Sequence, residues 1–521
     1  MPARVPSVRT SVKSARFVVL LFSCLLPSVS FLRADVRLPH ILSDHAVLQR
    51  DRPIHIWGWA TPGAHLTAGF HAQTVPAVAG ELGEFSLWLA PESAGGPYTL
   101  TISGDGPDVT VTDLLVGDVW FASGQSNMEI PLRGFPGNAV IKDAAQEIAA
   151  ANNPQLRLLL VPEKSSDDPL NDEPATWTLC SPETATDFSA VAYFFGREIA
   201  AKENVPVGLI DSTWGGTPAD SWVSLDTLGT HPDLLPAFAA RARFADSQSD
   251  LQAQIAAEKR ATDAARAAGQ PLPKFDWHPN EVSWLPAGLY NGMIAPFTPL
   301  SIRGFLWYQG ETNSAHDRAP YYHELFSSLI RDWRMHFAQS NLPFLFVQIS
   351  SFDSPGEDWG RVRDAQRRTL QLANTAMAVT LDVGEADNVH PPDKQTVAHR
   401  LALAARHIVY GEDIAFASPL FRQATAETEP SGSTALRVWF DHARGLTSRG
   451  DPIDAFEIAG SDHHFVPAQA RIDGETVIVS ASAVPHPVYV RYGWMGVMPH
   501  NLYNAAGLPA STFTSETFPA D

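Results

Sequence analysis

Cysteine is almost absent from this chain, which has only 2 in 521 residues, Cys24 and Cys180. Cys24 falls in an N-terminal segment that has the features of a cleaved leader. If that segment is removed, Cys180 remains alone, so neither an intrachain disulfide nor a cysteine metal cluster can form. Stability must then come from apolar burial, for which a hydrophobic fraction of 45% with 14 Trp provides the material.

Basic residues are also scarce relative to acidic ones. The chain has 37 Lys and Arg against 57 Asp and Glu, a net charge of −20. A surface of this sign repels nucleic acid and anionic membranes, so neither is an expected partner. No apolar run beyond residue 30 is long enough for a membrane helix, and no membrane insertion is expected.

The first 30 residues form a unit of their own. A basic head precedes an apolar stretch that is too short to span a bilayer, and small residues suited to cleavage follow it. This pattern predicts a signal peptide over 1–30 and a secreted or periplasmic protein. The segments are Arg4 to Arg16, Phe17 to Leu26 and Ser28 to Ser30.

The rest of the chain is too long for one core and is expected to form several domains. Residues 35–114 contain short alternating runs separated by Pro and Gly turns, which predict an N-terminal β-sandwich. Similar short strands return over 416–521 and predict a C-terminal β-domain. No internal repeat is present.

Between these regions, residues 115–415 alternate apolar runs with helical stretches. This alternation of strands and helices predicts an α/β domain with a mainly parallel sheet and helices on both faces. The stretch of about 226–285 does not follow this alternation, and its Ala-rich part, Leu251 to Ala268, predicts an exposed helical insertion. The apolar runs lie at 116–121, 156–161, 206–211, 304–308, 343–349 and 376–381.

The first of these runs ends in a turn that carries a serine. Val116 to Gly124 is typical of a buried strand, and Ser126 follows two residues later. A serine at this point lies at the carboxyl edge of the sheet, where open α/β sheets bind ligands. The pattern is not Gly-x-Ser-x-Gly, because Met128 occupies the last position. A turn serine that caps a helix is the alternative, and the residues downstream decide against it.

A serine nucleophile needs a base, a group that orients the base, and donors for the oxyanion. Each could come from the end of a later predicted strand. Gly216, or less favourably Gly215, offers a backbone N–H, and Gln309 offers a side-chain N–H. Asp387 stands three residues before His390, so its carboxylate could bind the ring on one side while the other nitrogen faces Ser126. Glu311 and Asn313 are expected to fix their loop.

Four short blocks carry a resemblance to a known family. Residues 124–128, 214–217, 307–311 and 390–391 resemble blocks of the sialate O-acetylesterases, a branch of the Ser-Gly-Asn-His (SGNH) serine hydrolases. The resemblance implies a flavodoxin-like catalytic domain with flanking β-domains. It implies removal of acetyl groups from sugar hydroxyls without a cofactor or a metal.

The resemblance also implies roles for individual residues. Ser126 would be the nucleophile, His390 the base and Asp387 its partner, with Ser126, Gly216 and Gln309 lining the oxyanion site. One departure stands out, because the wider superfamily places Asn where this chain has Gln309. Asn313 is therefore the alternative third donor.

Three other functions remain open at this point. The same machinery suits an acetylxylan or other plant-polysaccharide esterase. A non-catalytic carbohydrate-binding protein is disfavoured by the intact Ser126, Asp387 and His390, and a metal-dependent phosphoesterase by the lack of closely spaced ligands. A sialate carboxylate would need a local arginine, for which Arg133, Arg303 and Arg318 are candidates. The substrate-binding residues and the oligomeric state do not follow from the sequence.

Overall fold

The computed structural model describes residues 35–518, except 105, 136, 138, 274, 276, 277, 280, 281, 430–433 and 498–500, and only the backbone over 240–249. The expected signal peptide, residues 1–30, lies outside the described residues. The strands are β1 Val47–Gln49, β2 Ile54–Trp59, β3 His65–Phe70, β4 Gln73–Val78, β5 Glu84–Leu89, β6 Gly95–Ser103, β7 Val109–Gly124, β8 Asn153–Leu160, β9 Thr178–Cys180, β10 Val207–Thr213, β11 Gly304–Tyr308, β12 Phe344–Gln348, β13 Thr375–Val379, β14 Leu420–Thr428, β15 Thr434–Asp441, β16 Phe456–Ala459, β17 Val466–Pro467, β18 Gln469–Asp473, β19 Thr476–Ser480, β20 Tyr489–Tyr492 and β21 Phe513–Thr514. The α-helices are α1 Ser126–Glu129, α2 Ala144–Ala150, α3 Pro182–Thr186, α4 Ala190–Glu203, α5 Leu225–Thr230, α6 Leu235–Ala267, α7 Tyr322–His336, α8 Trp359–Thr369 and α9 Lys394–Ile408.

The central sheet has the strand order β13-β12-β11-β7-β10-β8-β9. The neighbours from β13 to β8 pair in parallel, and the edge strand β9 pairs antiparallel with β8. Since β7 lies between β10 and β11, the chain winds to one side of β7 and then crosses to the other. Such a reversal opens a crevice at the carboxyl ends of the central strands.

One long strand, β7, connects the N-terminal β-region to this sheet without a linker. Its first half pairs antiparallel with β6, and its second half pairs in parallel with β10 and β11. The expected domain boundary between residues 114 and 115 therefore lies inside a continuous strand. The expected α/β class is confirmed as a mixed fold with a central sheet and further β-sheets, whereas the N- and C-terminal sheets are largely antiparallel.

The C-terminal region contains two four-stranded sheets, β14-β15-β19-β18 and β17-β16-β20-β21. Their inward residues form a separate apolar core that includes Val438, Phe456 and Phe513. A buried arginine of α8, Arg363, binds this region by donating to the carbonyl oxygens of Met495 and Gly496 at 3.1 and 3.0 Å. Several charge-assisted bonds of this kind fix the C-terminal region against the central sheet.

The expected insertion at about 226–285 contains α5 and the long helix α6. This helix begins at Leu235, earlier than the Ala-rich stretch alone predicts, with Pro236 in its first turn. Proline suits that position because its missing N–H has no helical partner there. In the part of α6 with described side chains most residues are exposed. Among the described helices, none combines the length and the apolar character that crossing a membrane requires.

Candidate active site

The turn after β7 presents Ser126. Gly124 has a φ of 138°, and a Cβ added there would collide with the carbonyl oxygen of Tyr308 in β11, so only glycine fits. The N–H of Gln125 donates to the same carbonyl oxygen at 3.0 Å. Ser126 is then the first residue of the short helix α1, at the carboxyl edge of the sheet.

The structure brings His390 to this serine from a distant part of the chain. Nε2 of His390 lies 2.9 Å from Oγ of Ser126, although the two residues are 264 positions apart. Burial, and then the neighbouring Lys394 ammonium, lowers the pKa of His390 to about 4. The ring is therefore neutral at pH values well above 4, as a general base must be.

Asp387 was expected to orient His390. It lies in the same loop, three residues before His390, and is exposed. The carboxylate of Asp382, in the same loop, is bound by both terminal nitrogens of Arg400, at 2.7 and 2.8 Å. Asp382 is thus held in another ion pair, and the role of Asp387 stays a prediction.

The glycine pair after β10 lies directly against Ser126. A Cβ added to Gly215 would come within 3.3 Å of the Ser126 Cβ and 2.7 Å of a Glu129 carboxyl oxygen. Gly216 takes the left-handed conformation, with φ of 69°, and its carbonyl oxygen accepts a 2.8 Å bond from the Trp284 indole. Since the Gly215 N–H bonds to Glu129, the Gly216 N–H is the better candidate of the two for an oxyanion.

The expected role of Gln309 is not matched by its hydrogen bonds. Its amide nitrogen donates to the Thr217 carbonyl oxygen at 3.1 Å and to Oδ1 of Asn313 at 2.6 Å. Its amide oxygen accepts from the Tyr322 hydroxyl at 2.9 Å. Both amide hydrogens are therefore committed to protein acceptors, and Gln309 acts here as a buried support for Asn313.

Asn313, in the same loop, has a side-chain N–H donor whose orientation is fixed. Its Oδ1 accepts from Gln309 and from the N–H of Ala219 at 2.9 Å, so the orientation of the amide is fixed. Its Nδ2 is buried and has no hydrogen-bond partner among the described residues. A buried unpaired donor costs about 1–3 kcal/mol, so such a group in a fixed orientation indicates a functional role.

A buried polar network underlies Ser126 and His390. Nδ2 of Asn127 donates to Glu311 at 2.6 Å and to the Val389 carbonyl oxygen at 3.0 Å, while its Oδ1 accepts from Lys394 at 2.5 Å. Burial lowers the pKa of Lys394 to about 7 and raises that of Glu311. Glu311 fixes the loop as expected, but the sequence did not single out Asn127 or Lys394. The available signals were only their positions next to Ser126 and four residues after His390.

A pair of carboxyl groups, also not singled out from the sequence, lies beside Ser126. Glu129 follows Ser126 by three residues, and burial together with Glu163 and Asp211 raises its pKa to about 8. Glu163 has a raised pKa as well, because of burial, while its hydrogen bond with Glu129 acts in the opposite direction. At neutral pH Glu129 therefore keeps its proton.

The three candidate arginines occupy different places. Arg133 is paired with Asp187 at 2.5 Å, and Arg303 precedes β11 at the opposite edge of the sheet from Ser126. Arg318 lies 4.6 Å from the ring centre of Trp284, the residue that binds Gly216. Arg318 is thus linked to the site through Trp284 and Gly216. In the described part of the chain no cluster of three or more His, Cys, Asp or Glu residues is placed to hold a metal ion.

Comparison with known proteins identifies relatives over most of the chain. Residues 267–407 match the family described as carbohydrate esterase, sialic acid-specific acetylesterase. The mouse sialate O-acetylesterase is 28% identical over 516 residues, which cover 88% of this chain and 89% of that protein. The human sialate O-acetylesterase is 29% identical over 428 residues, covering 74% and 73%.

A solved structure gives the strongest support for family membership. It is the crystal structure of a carbohydrate acetylesterase from Xanthomonas citri, which is 37% identical to this chain, with a TM-score of 0.79. The match covers 93% of this chain and 100% of the Xanthomonas chain. This protein therefore belongs to the carbohydrate acetylesterases of the sialate O-acetylesterase family.

Proposed function

We propose that this protein is a serine esterase that removes O-acetyl groups from carbohydrates through an acetyl-enzyme on Ser126. The observation that carries the proposal is the 2.9 Å contact between Ser126 Oγ and Nε2 of a neutral His390. The activities named for the mouse, human and Xanthomonas relatives agree with it. The central unit, residues 115–415, would be an SGNH-type hydrolase domain, flanked by the β-regions 35–114 and 416–521.

In the proposed reaction His390 accepts the proton of Ser126 while Oγ attacks the acetyl carbonyl carbon. The negative charge that develops on the carbonyl oxygen is stabilised by the N–H groups of Ser126 and Gly216 and by Nδ2 of Asn313. Collapse of the tetrahedral intermediate breaks the ester bond, and His390 gives its proton to the departing sugar oxygen. Water, activated by the same ring, then releases acetate and restores Ser126.

Asp387 is proposed to assist this cycle by holding the tautomer of His390 and stabilising the imidazolium that forms, since the two residues are in one loop. Residues 1–30 are proposed to direct the chain to the periplasm or the exterior, where acetylated polysaccharides and glycans are found.

The sugar is the part of the proposal that has two candidates. A sialate ester is supported by the names of the mammalian relatives and by Arg318 near the site. A neutral plant-polysaccharide acetate is favoured by the Glu129–Glu163 pair, because a sugar carboxylate beside these two carboxyl groups would be repelled whenever either of them ionises. Aromatic residues of the segments that form the site could stack on a sugar ring only where they are accessible, and Trp214 and Trp284 are partly exposed, whereas Trp222, Trp307 and Tyr308 are fully buried core residues.

The test is acetate release by the purified protein from O-acetylated sialic acid and from acetylated xylo-oligosaccharides. We expect Ser126→Ala to lose about 10³-fold or more in turnover while it stays folded, and the exposed-site control Ser340→Ala to keep the parent rate. Near-parental activity of Ser126→Ala would refute the acetyl-enzyme. A parent enzyme that prefers long-chain acyl esters would refute both sugar candidates.

The two sugars are separated by the charged groups. If the substrate is a sialate, Arg318→Gln should lower kcat/KM for the sialate ester and leave a neutral acetate unaffected. If it is a neutral sugar, the parent should strongly prefer the xylo-oligosaccharide, and Glu129→Gln/Glu163→Gln should raise the relative rate on the sialate.

A further inference from the structure

A second groove runs along the junction between the N-terminal β-region and the segment that leads into β11. It consists of two adjoining cavities, of about 440 and 880 Å³, that share His55, Thr298, Pro299 and His336. Their lining residues do not include Ser126, His390, Gly216 or Asn313. The groove is thus a separate surface feature, large enough for several sugar units.

One wall of the groove is a rigid aromatic stack. The ring of His55 lies between those of Trp57 and Trp88, with centroid distances of 4.9 and 4.3 Å and interplanar angles of 21° and 11°. Both nitrogens of His55 are engaged, with the Pro299 carbonyl oxygen at 3.0 Å and the Ser86 hydroxyl at 2.7 Å. The stack ends in Trp88, which is 54% exposed. A held, open indole face suits the C–H face of a pyranose ring.

The smaller cavity also contains an arginine that the protein itself does not neutralise. Among the described residues the Arg52 guanidinium has no hydrogen bond or ion pair, and burial and the nearby Arg303 lower its pKa. Its neighbours Arg50 and Arg303 both contact Asp118. In a chain with 57 acidic and 37 basic residues, an arginine left without an acid beside a cavity is available to bind an anion from outside.

A third group in the same cavity lacks a partner. The amide oxygen of Gln339 is buried and accepts no hydrogen bond within the described part of the chain. It can accept a bond from a ligand hydroxyl. The larger cavity differs in charge, because its lining includes the carboxylates of Glu84, Asp167, Asp168 and Asp226. That end suits neutral, hydroxyl-rich units and disfavours a second anion.

We propose that this groove binds a glycan through one acidic sugar unit, whose carboxylate pairs with Arg52, whose ring stacks on Trp88 and whose hydroxyl donates to Gln339. Neutral units of the same glycan extend into the larger cavity. The shared chemistry is a pyranose carboxylate, which a sialic acid or a uronic acid can supply. This site would hold the glycan on the protein whether or not the esterase proposal is correct.

The test is calorimetric titration of the parent protein with unacetylated oligosaccharides, which are not substrates. The probes are sialyllactose and a glucuronic acid-substituted xylo-oligosaccharide, with lactose and an unsubstituted xylo-oligosaccharide as neutral counterparts. We expect at least one acidic probe to bind about tenfold or more tightly than its neutral counterpart, and added salt to weaken that binding. The probe that binds identifies the source of the carboxylate.

Variants locate the binding. Arg52→Gln and Trp88→Ala should each weaken it about tenfold or more, and Arg52→Lys should be intermediate because it keeps the charge but loses the planar fork. Arg422→Gln is the matched control, since Arg422 lies 5.8 Å from the Trp439 ring in the C-terminal region. All variants should hydrolyse p-nitrophenyl acetate at the parent rate, which shows that they are folded.

Two results would overturn the proposal. The first is acidic probes that bind no better than the neutral ones. The second is an affinity for the acidic probe that does not change in Arg52→Gln. Competition between that probe and p-nitrophenyl acetate would then show that the probe binds at Ser126 and not in the groove. Failure of the esterase proposal is recognised separately, by the absence of acetate release from acetylated sugars.

Discussion

Replacing Asn313 by aspartate tests which side chain serves the oxyanion. The substitution keeps Oδ1, so the bonds from Gln309 at 2.6 Å and from the Ala219 N–H at 2.9 Å can persist. It removes only Nδ2, the buried donor without a partner among the described residues. The change therefore separates catalysis from structural support better than alanine does.

The expected magnitude follows from the contacts. Loss of one oxyanion donor costs about 10² to 10³ in kcat, or about 2.7–4 kcal/mol. A carboxylate at position 313 would also repel the oxyanion, so we expect the upper end of that range. Asn313→Ala would in addition leave two buried donors unpaired at about 1–3 kcal/mol each, or about 2–6 kcal/mol of unfolding free energy.

The assay combines initial rates on an acetylated sugar and on p-nitrophenyl acetate with thermal unfolding. Asn313→Asp should lower kcat, leave KM nearly unchanged and keep the parental Tm. Gln309→Ala should mainly lower Tm, because it removes the side-chain bonds to the Tyr322 hydroxyl and to Asn313, and its kcat should fall less than that of Asn313→Asp. The opposite ranking, with Asn313→Asp within about fivefold of the parent kcat and Gln309→Ala reduced about 10²-fold, would return the role to Gln309.

Three further predictions concern titration and the acid partner. A base must be neutral and the pKa of His390 is lowered to about 4, so the acid limb of the kcat/KM profile should lie near pH 4. Lys394→Met removes a neighbouring positive charge and should move this limb to higher pH. An acid limb at about pH 6.5 in the parent would contradict this reasoning. Glu129, with a pKa of about 8, should ionise above pH 8 and slow the reaction by repelling the oxyanion. Glu129→Gln should therefore match the parent rate at pH 7 and lose no activity above pH 8. An unchanged pH profile in this variant would exclude the effect. Because Asp387 is proposed to hold the tautomer of His390, Asp387→Asn should lower kcat much more than it changes KM, whereas a loss confined to Asp382→Asn would assign the acid to Asp382.

The elements that position the site could be predicted because each has a local pattern. The apolar runs at 116–121, 304–308 and 376–381 fall in or beside β7, β11 and β13, and the polar residues that follow β7 and β11 lie at one edge of the sheet. Ser126 and His390 were both singled out in this way and lie in contact. The strand order was not predictable, since no local pattern records that β7 lies between β10 and β11.

The orientation of side chains within those loops could not be predicted. Gln309 and Asn313 are both amides in one loop, and the choice between them depends on the Thr217 carbonyl oxygen and the Tyr322 hydroxyl, which other segments supply. The spacing of Asp387 and His390 allows a contact but does not require one. The backbone N–H of His390 donates to Oδ1 of Asn388 at 3.0 Å.

The buried network explains how residues so far apart in sequence are held together. Ser126 and His390 lie on separate segments, and the residue after Ser126 binds both the residue before His390 and the loop that follows β11. A single amide, that of Asn127, thereby connects three segments, and Lys394 closes the network from α9. Because Glu311 and Lys394 are fully buried, either charge alone would be costly, so each requires the other and the amide between them. The buried polar groups around Ser126 and His390 thus determine where these two residues meet.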